Sequence, residues 1–552
     1  MMFVDEPFIS ASTLSKMLSA RYRRCQKCRH PLTGIQADCQ LAPDTKDSSI
    51  VAKVDPTSSN LAVCQPQRQT VKPMSQSPPN PTPEPAGEPP AARTLAAIAR
   101  FFKFAELQTD FRTEAIAGAT TFMTMAYILA VNPVILSSAI FLENPGDLSD
   151  ELVFATAISS AIGTLVMGLL ANYPFALAPG MGLNAFFAIS VVQGLGISWR
   201  VALTSVLIEG LIVIALTLSN IRSLILKAIP ECLKHATAAG IGLFLAYIAL
   251  SGDPDSGGAG IIVADPATKT ALGSFNQPAT LMAIAGILIT SALVARRIKG
   301  ALLWAILATS LLGWILGVAP WPAGIVAPPQ WPGDLLGQAL VGLDQMNQTN
   351  VWDFLAVTFV FFFVDFFDTI GTVAGVGIQA GYIDENGELP RAKETLLADA
   401  VGTTVGAVMG TSCVTTYIES AAGISEGGRT GFTGITVAFL FFLSVFFIPL
   451  LSAIPAFATA PALLIVGVLM AGNIRAIRWD DPAESIPSFL TIVVMPLSFS
   501  IAEGLAIGFI TYPLLKAFQG KAHEITPAVW VLAGVFVLRF VLMALQASPS
   551  NS

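Results

Sequence analysis

The chain has 552 residues, of which 53% are hydrophobic and 12% are charged, and its net charge is −7. Soluble domains carry about 25% charged residues, so this composition excludes a protein whose whole surface faces water. Lipid must cover much of the chain, and the sequence therefore predicts an all-α polytopic membrane protein. Where each charge lies along the chain is more informative about topology than the net charge.

The first hundred residues differ in composition from the rest. The stretch SQSPPNPTPEPAGEPPAAR is rich in proline, serine and glutamate, which predicts that residues 1–95 form a disordered extension. Met74 begins MSQSPPNP and is a candidate native start, with a transit peptide over residues 1–73 as the alternative. The pattern around Cys25 and Cys28 has no folding pattern beside it, so we expect no metal site there.

Apolar stretches long enough to cross about 30 Å of hydrocarbon follow Arg112. They lie at 113–138, 153–172, 201–219, 235–251, 279–296, 300–318, 352–377, 395–410, 431–451, 458–474, 485–500 and 503–519. Two shorter stretches, 183–196 and 416–424, follow the extended segments ALAPGMGL and MGTSCVTT and bring the count to fourteen. A last apolar run at 529–545 carries Arg539 in its middle and is expected at the membrane interface.

The charged residues of the connecting loops support this count. With a cytoplasmic N-terminus, the inward loops hold Lys103, Arg112, Arg222, Lys227, Lys234, Arg296, Arg297, Lys299, Arg391, Lys393, Arg429, Arg475, Arg478, Lys516 and Lys521. The outward loops hold Glu143, Asp147, Asp150, Glu151, Asp253, Asp255, Asp265, Asp334 and Asp344, with Arg200 and Lys269 as the basic exceptions. Because positive loops stay inside, this alternation predicts a cytoplasmic N-terminus, and we expect the plasma (inner) membrane.

The two short stretches are the third and tenth of the fourteen, seven apart, as expected for two inverted repeats of seven segments. Unwound backbone at membrane depth is tolerated where it is buried in protein or lines a cavity. Half-helices are predicted to begin at Leu183–Asn184 and Thr416–Tyr417, and their positive ends would form a polar site near the bilayer centre. Simple kinks at glycine or proline are the alternative interpretation.

Acidic residues inside apolar segments are rare and usually functional. Asp368 lies just over halfway along the eighth segment, and Glu419 lies one turn into the tenth. Two such carboxylates can accept hydrogen bonds from the N–H groups of a planar heterocycle. Burial favours the neutral form of a carboxyl group, so either residue could also carry a proton.

Other residues near these two carboxylates are further candidates. Asp365 shares the helix face of Asp368, and its direct and orienting roles both stay open; Glu503 precedes the last segment, and Glu209 is expected to be structural. One of the aromatic residues could stack on a flat ligand. The predicted substrate-binding residues are Asp368, Glu419, Asn184, Phe187, Thr416 and Tyr417, and the predicted proton-coupling residues are Asp368, Glu419, Asp365 and Glu503.

Four strings carry a resemblance to a known family. TEAIAGATTFMTMAYILAVNP, APGMGLNAFF, FFFVDFFDTIGT and GTSCVTTYIESAAGISEGGRTG are similar to segments of the nucleobase/cation symporters of the xanthine/uracil permease superfamily. The branch that the chain resembles most is that of the azaguanine-type adenine/guanine/hypoxanthine permeases. The likeness runs from about residue 100 to the C-terminus.

The resemblance implies proton symport of purine nucleobases by alternating access between core and gate domains. It implies that Asp368, Glu419 and Asn184 contact the base, that Glu503 is the acid before the last gate helix, and that short strands lie at Gly182–Phe186 and Val414–Ile418. The implied division is an extension at 1–95, core parts at 96–220 and 351–452, gate parts at 221–350 and 453–524, and a C-terminal segment at 525–552.

Several alternatives stay open at this point. A uracil/xanthine-type permease is the first, although the histidine common in that branch one turn after the eighth-segment acid is replaced by Thr372. An anion transporter of the same architecture is the second, although the predicted site is acidic. No enzyme motif is present, so no catalytic residues and no cofactor are expected. The expected partners are a purine base, a coupling proton with Na⁺ as the alternative, and the lipid bilayer; a homodimer stays open, and nucleic acid is not expected.

Overall fold

The computed structural model describes residues 90–142, 147–219, 230–252, 258–329, 331–346, 349–382 and 389–546. The predicted extension up to residue 89, with Met74 and the N-terminal cysteines, lies outside these ranges. So do Glu143, Arg222, Lys227, Asp253 and Asp255, five of the charges used to orient the loops.

The described chain is mostly helical. Its first half contains α1 (Pro90–Phe101), α2 (Phe111–Met125), α3 (Ile128–Ser137), α4 (Leu148–Leu170), β1 (Leu177–Pro179), α5 (Met181–Ala185, continued by a π-helix over Phe186–Gly194), α6 (Trp199–Leu218), α7 (Glu231–Leu250), β2 (Ile262–Asp265), β3 (Lys269–Leu272), α8 (Pro278–Ala295) and α9 (Ala301–Ile315). Its second half contains α10 (Gln338–Gln345), α11 (Val351–Ala380), α12 (Ala392–Met409), β4 (Val414–Thr416), α13 (Ser420–Ser425), α14 (Gly431–Ser444), α15 (Ala456–Ala471), α16 (Pro482–Ser498), α17 (Ile501–Phe518) and α18 (Pro527–Gln546). Short helical turns also occur at Phe104–Leu107, Val445–Phe447, Ile448–Leu451, Gly472–Ala476 and Ala522–Glu524.

Nine helices of the described chain are long and apolar enough to cross a membrane. This confirms the predicted mostly helical membrane class. One predicted boundary is wrong: the disordered extension was expected to reach residue 95, but α1 already begins at Pro90. Proline is well tolerated in the first turn of a helix, where its missing N–H costs no hydrogen bond, and the run that follows is rich in alanine.

The long helices pack in two groups. In the first group, α4 and α6 both pack against α12, while α14 packs against α2 and α4. In the second group, α7 packs against α15 and α16, α8 packs against α9 and α15, and α16 packs against α17. Small residues allow the close approach that helices in lipid rely on. A Cβ on Gly168 of α4, for example, would lie 2.6 Å from the carbonyl oxygen of Gly431 at the start of α14.

Strands β1 and β4 pair antiparallel in the first group, with Leu177 opposite Thr416 and Pro179 opposite Val414. Each strand is also held by one threonine of the helix before it. The Thr164 hydroxyl accepts from the Leu177 N–H at 2.9 Å and donates to its carbonyl at 3.1 Å. The Thr403 hydroxyl likewise accepts from the Val414 N–H and donates to the Val414 carbonyl, both at 3.1 Å. These contacts satisfy backbone groups that a two-stranded sheet would otherwise leave unpaired in the interior.

Two predictions about the broken segments are wrong in their positions. The strand expected at Gly182–Phe186 is helical, because α5 begins at Met181 directly after the extended Gly180; the strand lies earlier, at Leu177–Pro179. In the tenth segment the strand ends at Thr416, not at Ile418, and the half-helix α13 begins at Ser420. Thr416 and Tyr417 therefore precede the half-helix and do not begin it.

Candidate functional site

Two half-buried acidic residues lie beside the paired strands. Asp368 is in the second half of α11, and Glu419 is the residue directly before α13. Helix α11 packs against both β4 and α13, and the two carboxyl groups are close enough to interact electrostatically. The structure thus brings together the two acids that the sequence predicts, although they are 51 residues apart in the chain.

Glu419 is held by a residue of the first membrane segment. The phenol of Tyr127, between α2 and α3, donates a hydrogen bond to Oε1 of Glu419 at 2.7 Å. Tyr127 is almost completely buried. It is absent from the residues that the sequence predicts, because nothing in a local pattern connects a tyrosine with an acid 292 residues later.

The polar candidates of the broken segments lie around the strand pair. Asn184, inside α5, is fully buried and accepts a hydrogen bond from the Ser412 hydroxyl, while its Nδ2 has no partner among the described residues. The Tyr417 phenol donates to the Pro179 carbonyl at 2.5 Å, and its N–H donates to the Ala176 carbonyl at 2.9 Å. These contacts tie the two broken segments to each other.

Phe187 lies in the π-helical continuation of α5. Its side chain is fully buried, and its ring centroid is 6.5 Å from that of Phe361 on α11. The neighbouring Phe186 packs edge-on against the same ring at 4.9 Å. The structure therefore surrounds Phe187 with other core side chains and places it between α5 and α11.

A second group of acidic residues lies behind the strand pair. Asp399 of α12 accepts the backbone N–H and the hydroxyl of Thr416, at 2.9 and 3.1 Å, and the hydroxyl of Thr369 at 2.8 Å. Asp399 is buried and is absent from the residues that the sequence predicts. The signal that could have found it is simple: it is an aspartate within the apolar stretch 395–410.

Asp365 and Glu209 complete this second group. Asp365, one turn before Asp368, is fully buried, and its carboxyl group lies near that of the equally buried Glu209 on α6. The thiol of Cys413 lies 3.8 Å from Oε2 of Glu209. Two neighbouring carboxyl groups in the interior repel each other when both are charged, and burial disfavours the charged form of each.

Glu503 lies in the first turn of α17, where the Ser500 hydroxyl accepts its backbone N–H at 3.3 Å. Its carboxylate pairs at 2.9 Å with Arg539 of α18, the helix that packs against α17. Arg539 is only 8% exposed. The structure therefore gives Glu503 a fixed basic partner in the second helix group, apart from the pair formed by Asp368 and Glu419.

A further buried acid anchors the end of the tenth segment. Glu114 of α2 accepts the Arg429 N–H at 2.9 Å, the Thr430 hydroxyl at 2.8 Å and the Thr433 hydroxyl at 2.6 Å. It is fully buried. Since these donors lie in the loop between α13 and α14 and in the first turn of α14, Glu114 fixes the loop that follows the half-helix next to Glu419.

The site offers hydrogen-bond acceptors to a ligand. Asp368 and Glu419 present carboxylate oxygens, and Tyr127 orients one of them. In the described ranges, no group of three or more His, Cys, Asp or Glu side chains is arranged to hold a metal ion. An arrangement of this kind can bind a ligand with N–H donors along one edge, because a carboxylate accepts such hydrogen bonds strongly.

Comparison with known proteins assigns the chain to a family. The profile of the permease family matches residues 112–509. The Methanocaldococcus jannaschii protein MJ0326 is 51% identical over 447 residues, covering 81% of this chain and 99% of that protein. The guanine/hypoxanthine permease PbuG of Bacillus subtilis is 45% identical over 80% of this chain and 99% of its own length. The adenine permease AdeP of Escherichia coli is 40% identical over 81% of this chain and 96% of its own length.

A solved structure shows the same fold at low sequence identity. SLC26A9 superposes with a TM-score of 0.53 and 9% identity, covering 78% of this chain and 70% of that chain. The sequence relatives confirm the predicted resemblance to nucleobase permeases, and they are transporters and not enzymes. The chain therefore belongs to the permease family, as an integral membrane protein whose relatives include guanine/hypoxanthine and adenine permeases.

Proposed function

We propose that this protein takes up purine nucleobases by proton symport. Two observations carry this proposal. Asp368 and Glu419 lie beside the paired strands β1 and β4, and the chain's relatives are named as guanine/hypoxanthine and adenine permeases. A purine presents N–H donors at its edge, and two carboxylates from different helices can accept them together. Asn184, Thr416, Tyr417 and Phe187 complete the proposed substrate site.

The coupling proton is proposed to bind the acids near this site. The buried, neighbouring carboxyl groups of Asp365 and Glu209 support a proton in this region, because two like charges side by side in the interior repel each other. Asp368 and Glu419 are the other candidates, since a base that donates to them would compete with a proton. Glu503 stays a candidate from the sequence, and its carboxylate is paired with Arg539.

The proposed transport cycle uses the two helix groups as separate bodies. The group around α4, α12 and α14 would form the core, and the group around α7, α15 and α16 would form the gate, within fourteen segments arranged as two inverted repeats of seven. The matching threonine contacts of Thr164 and Thr403 to their strands support this repeat. Substrate in the core would be exposed to either side in turn as the core moves against the gate.

The experiment that tests this function is uptake in cells that lack purine transport. Labelled adenine, guanine and hypoxanthine are offered with and without a protonophore, and with Na⁺ replaced by choline. We expect uptake of these bases that collapses with the proton gradient and persists without Na⁺. Uracil and xanthine are added as competitors to test the related permease class. Absence of purine uptake by a correctly inserted protein contradicts the proposal.

Variants of the two acids test the proposed site. Asp368→Asn and Glu419→Gln are expected to reach the membrane but lose transport, because each amide presents an N–H₂ group where a substrate N–H must be accepted. Asp353→Asn, at the start of the same helix α11, is the matched control and is expected to transport normally. Normal uptake of all three bases by both site variants would remove Asp368 and Glu419 from the site.

The proposed orientation has a test of its own. A cysteine introduced at Ala264, exposed in the β2–β3 hairpin, is expected outside the cell, and one at Ala522 inside. An impermeant maleimide applied to intact cells should then label the first variant above the wild-type background, and the second only after lysis. The reverse pattern would place the N-terminus outside the plasma membrane.

A further inference from the structure

The half-helix α13 lies against one face of α2. A Cβ on Gly423 would lie 2.5 Å from the carbonyl oxygen of Ala117, so the two backbones are in close contact. Seven residues further along α2, the Thr124 hydroxyl lies 3.5 Å from the carbonyl oxygen of Glu419. The position of Glu419 is therefore set by the first membrane segment.

Tyr127, which follows α2 in the chain, contacts the carboxylate of Glu419. Its side chain is 1% exposed, and its phenol donates to Oε1 of Glu419 at 2.7 Å. This hydrogen bond restricts rotation of the carboxyl group of the half-buried Glu419.

We propose that Tyr127 is a specificity-determining positioning residue for the base. The phenol takes up part of the accepting capacity of Oε1 and leaves Oε2 of Glu419 as the freer oxygen for a ligand. Glu419 is thereby held in a position that favours one ligand donor at Oε2 over two parallel donors shared between both oxygens. This inference rests on the proposed function, because it concerns the purine that meets Glu419.

The consequence concerns two bases that differ in one group. Hypoxanthine presents a single N1–H on its pyrimidine edge, whereas guanine presents N1–H and a 2-amino group side by side. A carboxylate with both oxygens free binds two parallel donors in a bidentate manner, as it does with arginine. Loss of the Tyr127 phenol should therefore favour guanine over hypoxanthine.

The test is Tyr127→Phe, measured by competition of unlabelled guanine and hypoxanthine against labelled hypoxanthine uptake. The ratio of the hypoxanthine Ki to the guanine Ki is expected to rise about fivefold, the change that one net hydrogen bond makes to an equilibrium constant. We expect KM for hypoxanthine to rise while the maximal rate per transporter at the membrane stays near that of the wild type. A general structural defect would lower the rate and leave the ratio unchanged.

Two further variants control this measurement. Tyr382→Phe removes a phenol that donates to the Arg429 carbonyl at 2.8 Å, and it should keep the wild-type ratio. Tyr127→His retains an N–H donor and is expected to restore the ratio towards the wild-type value. If Tyr127→Phe does not accumulate in the membrane, the ratio is read from Tyr127→Met, which also lacks the donor.

The outcomes separate the two proposals. If the wild type transports no purine base, the proposed function fails. If the wild type transports both bases and the ratio is the same in the wild type and the donor-free variant, the function stands and the role of Tyr127 is overturned.

Discussion

Thr416 donates both its backbone N–H and its hydroxyl to one oxygen of Asp399, at 2.9 and 3.1 Å. Thr416 is the last residue of β4, and it pairs with Leu177 of β1. A buried carboxylate on α12 therefore holds the end of strand β4. The strand end leads within three residues to Glu419, so Asp399 connects the helix scaffold to the proposed substrate site.

The first prediction concerns Asp399→Asn. An amide has one acceptor oxygen and an N–H₂ group, so it must lose a donor contact from Thr416 or Thr369. A hydrogen bond to a charged group contributes about 2 kcal/mol, and we expect transport to fall more than tenfold as the end of β4 shifts. Uptake per transporter at the membrane is the measurement. Thr369→Val, which removes a single donor, should have a smaller effect; equal effects would contradict a role in holding the strand.

The second prediction concerns Glu114→Gln. Both oxygens of Glu114 accept hydrogen bonds from the loop before α14, so an N–H₂ group at either position faces a donor. We expect a loss of about 3 kcal/mol in stability, because a buried donor is left without its acceptor. The thermal midpoint of the detergent-purified protein measures this. Glu106→Gln, which removes an exposed pair with Lys103, is the control and should leave the midpoint unchanged.

The third prediction concerns the contact between α13 and α2. Gly423→Ala places a Cβ 2.5 Å from the Ala117 carbonyl, and backbone on both sides must move to accept it. We expect less protein at the membrane and a lower thermal midpoint. Gly434→Ala on α14 adds the same methyl group where the nearest atom is 3.5 Å away, and it should be tolerated. A stable, fully active Gly423→Ala protein would show that the half-helix does not depend on this contact.

The fourth prediction separates a structural role of Glu503 from a coupling role. Glu503→Gln leaves the buried Arg539 without its partner, which costs on the order of 3 kcal/mol when a buried pair is broken. The double variant Glu503→Gln, Arg539→Met removes both charges and should regain stability and uptake. If the double variant is stable but its uptake no longer responds to a protonophore, Glu503 takes part in proton coupling.

Much of the architecture follows from the sequence. Crossing a hydrocarbon layer requires about 20 apolar residues, so the long helices could be placed from hydropathy alone. Asp368 and Glu419 could be selected because charged residues within apolar segments are few. Apolar length and charge within an apolar segment are both local properties, so neither requires knowing which other segment packs against it.

The finer positions could not be obtained in this way. Residues 177–186 contain two glycines, one proline and mostly apolar residues, which suit either a strand or a helix, so the choice depends on what they pair with. The strand forms where Leu177–Pro179 meets Val414–Thr416, and the helix starts after Gly180. A strand of three residues has too few hydrogen bonds to form without that distant partner.

What the sequence alone determined is the class of protein, the positions of its long helices and the two acids of the proposed site. Tertiary structure decided which side chains fix the position of Glu419. Tyr127 orients its carboxylate, Asp399 holds the strand before it and Glu114 holds the loop after it. The physical reason is that a buried acid is stabilised by the donors around it, and those donors are distant in the chain: Tyr127 lies 292 residues from Glu419, and Thr430 lies 316 residues from Glu114.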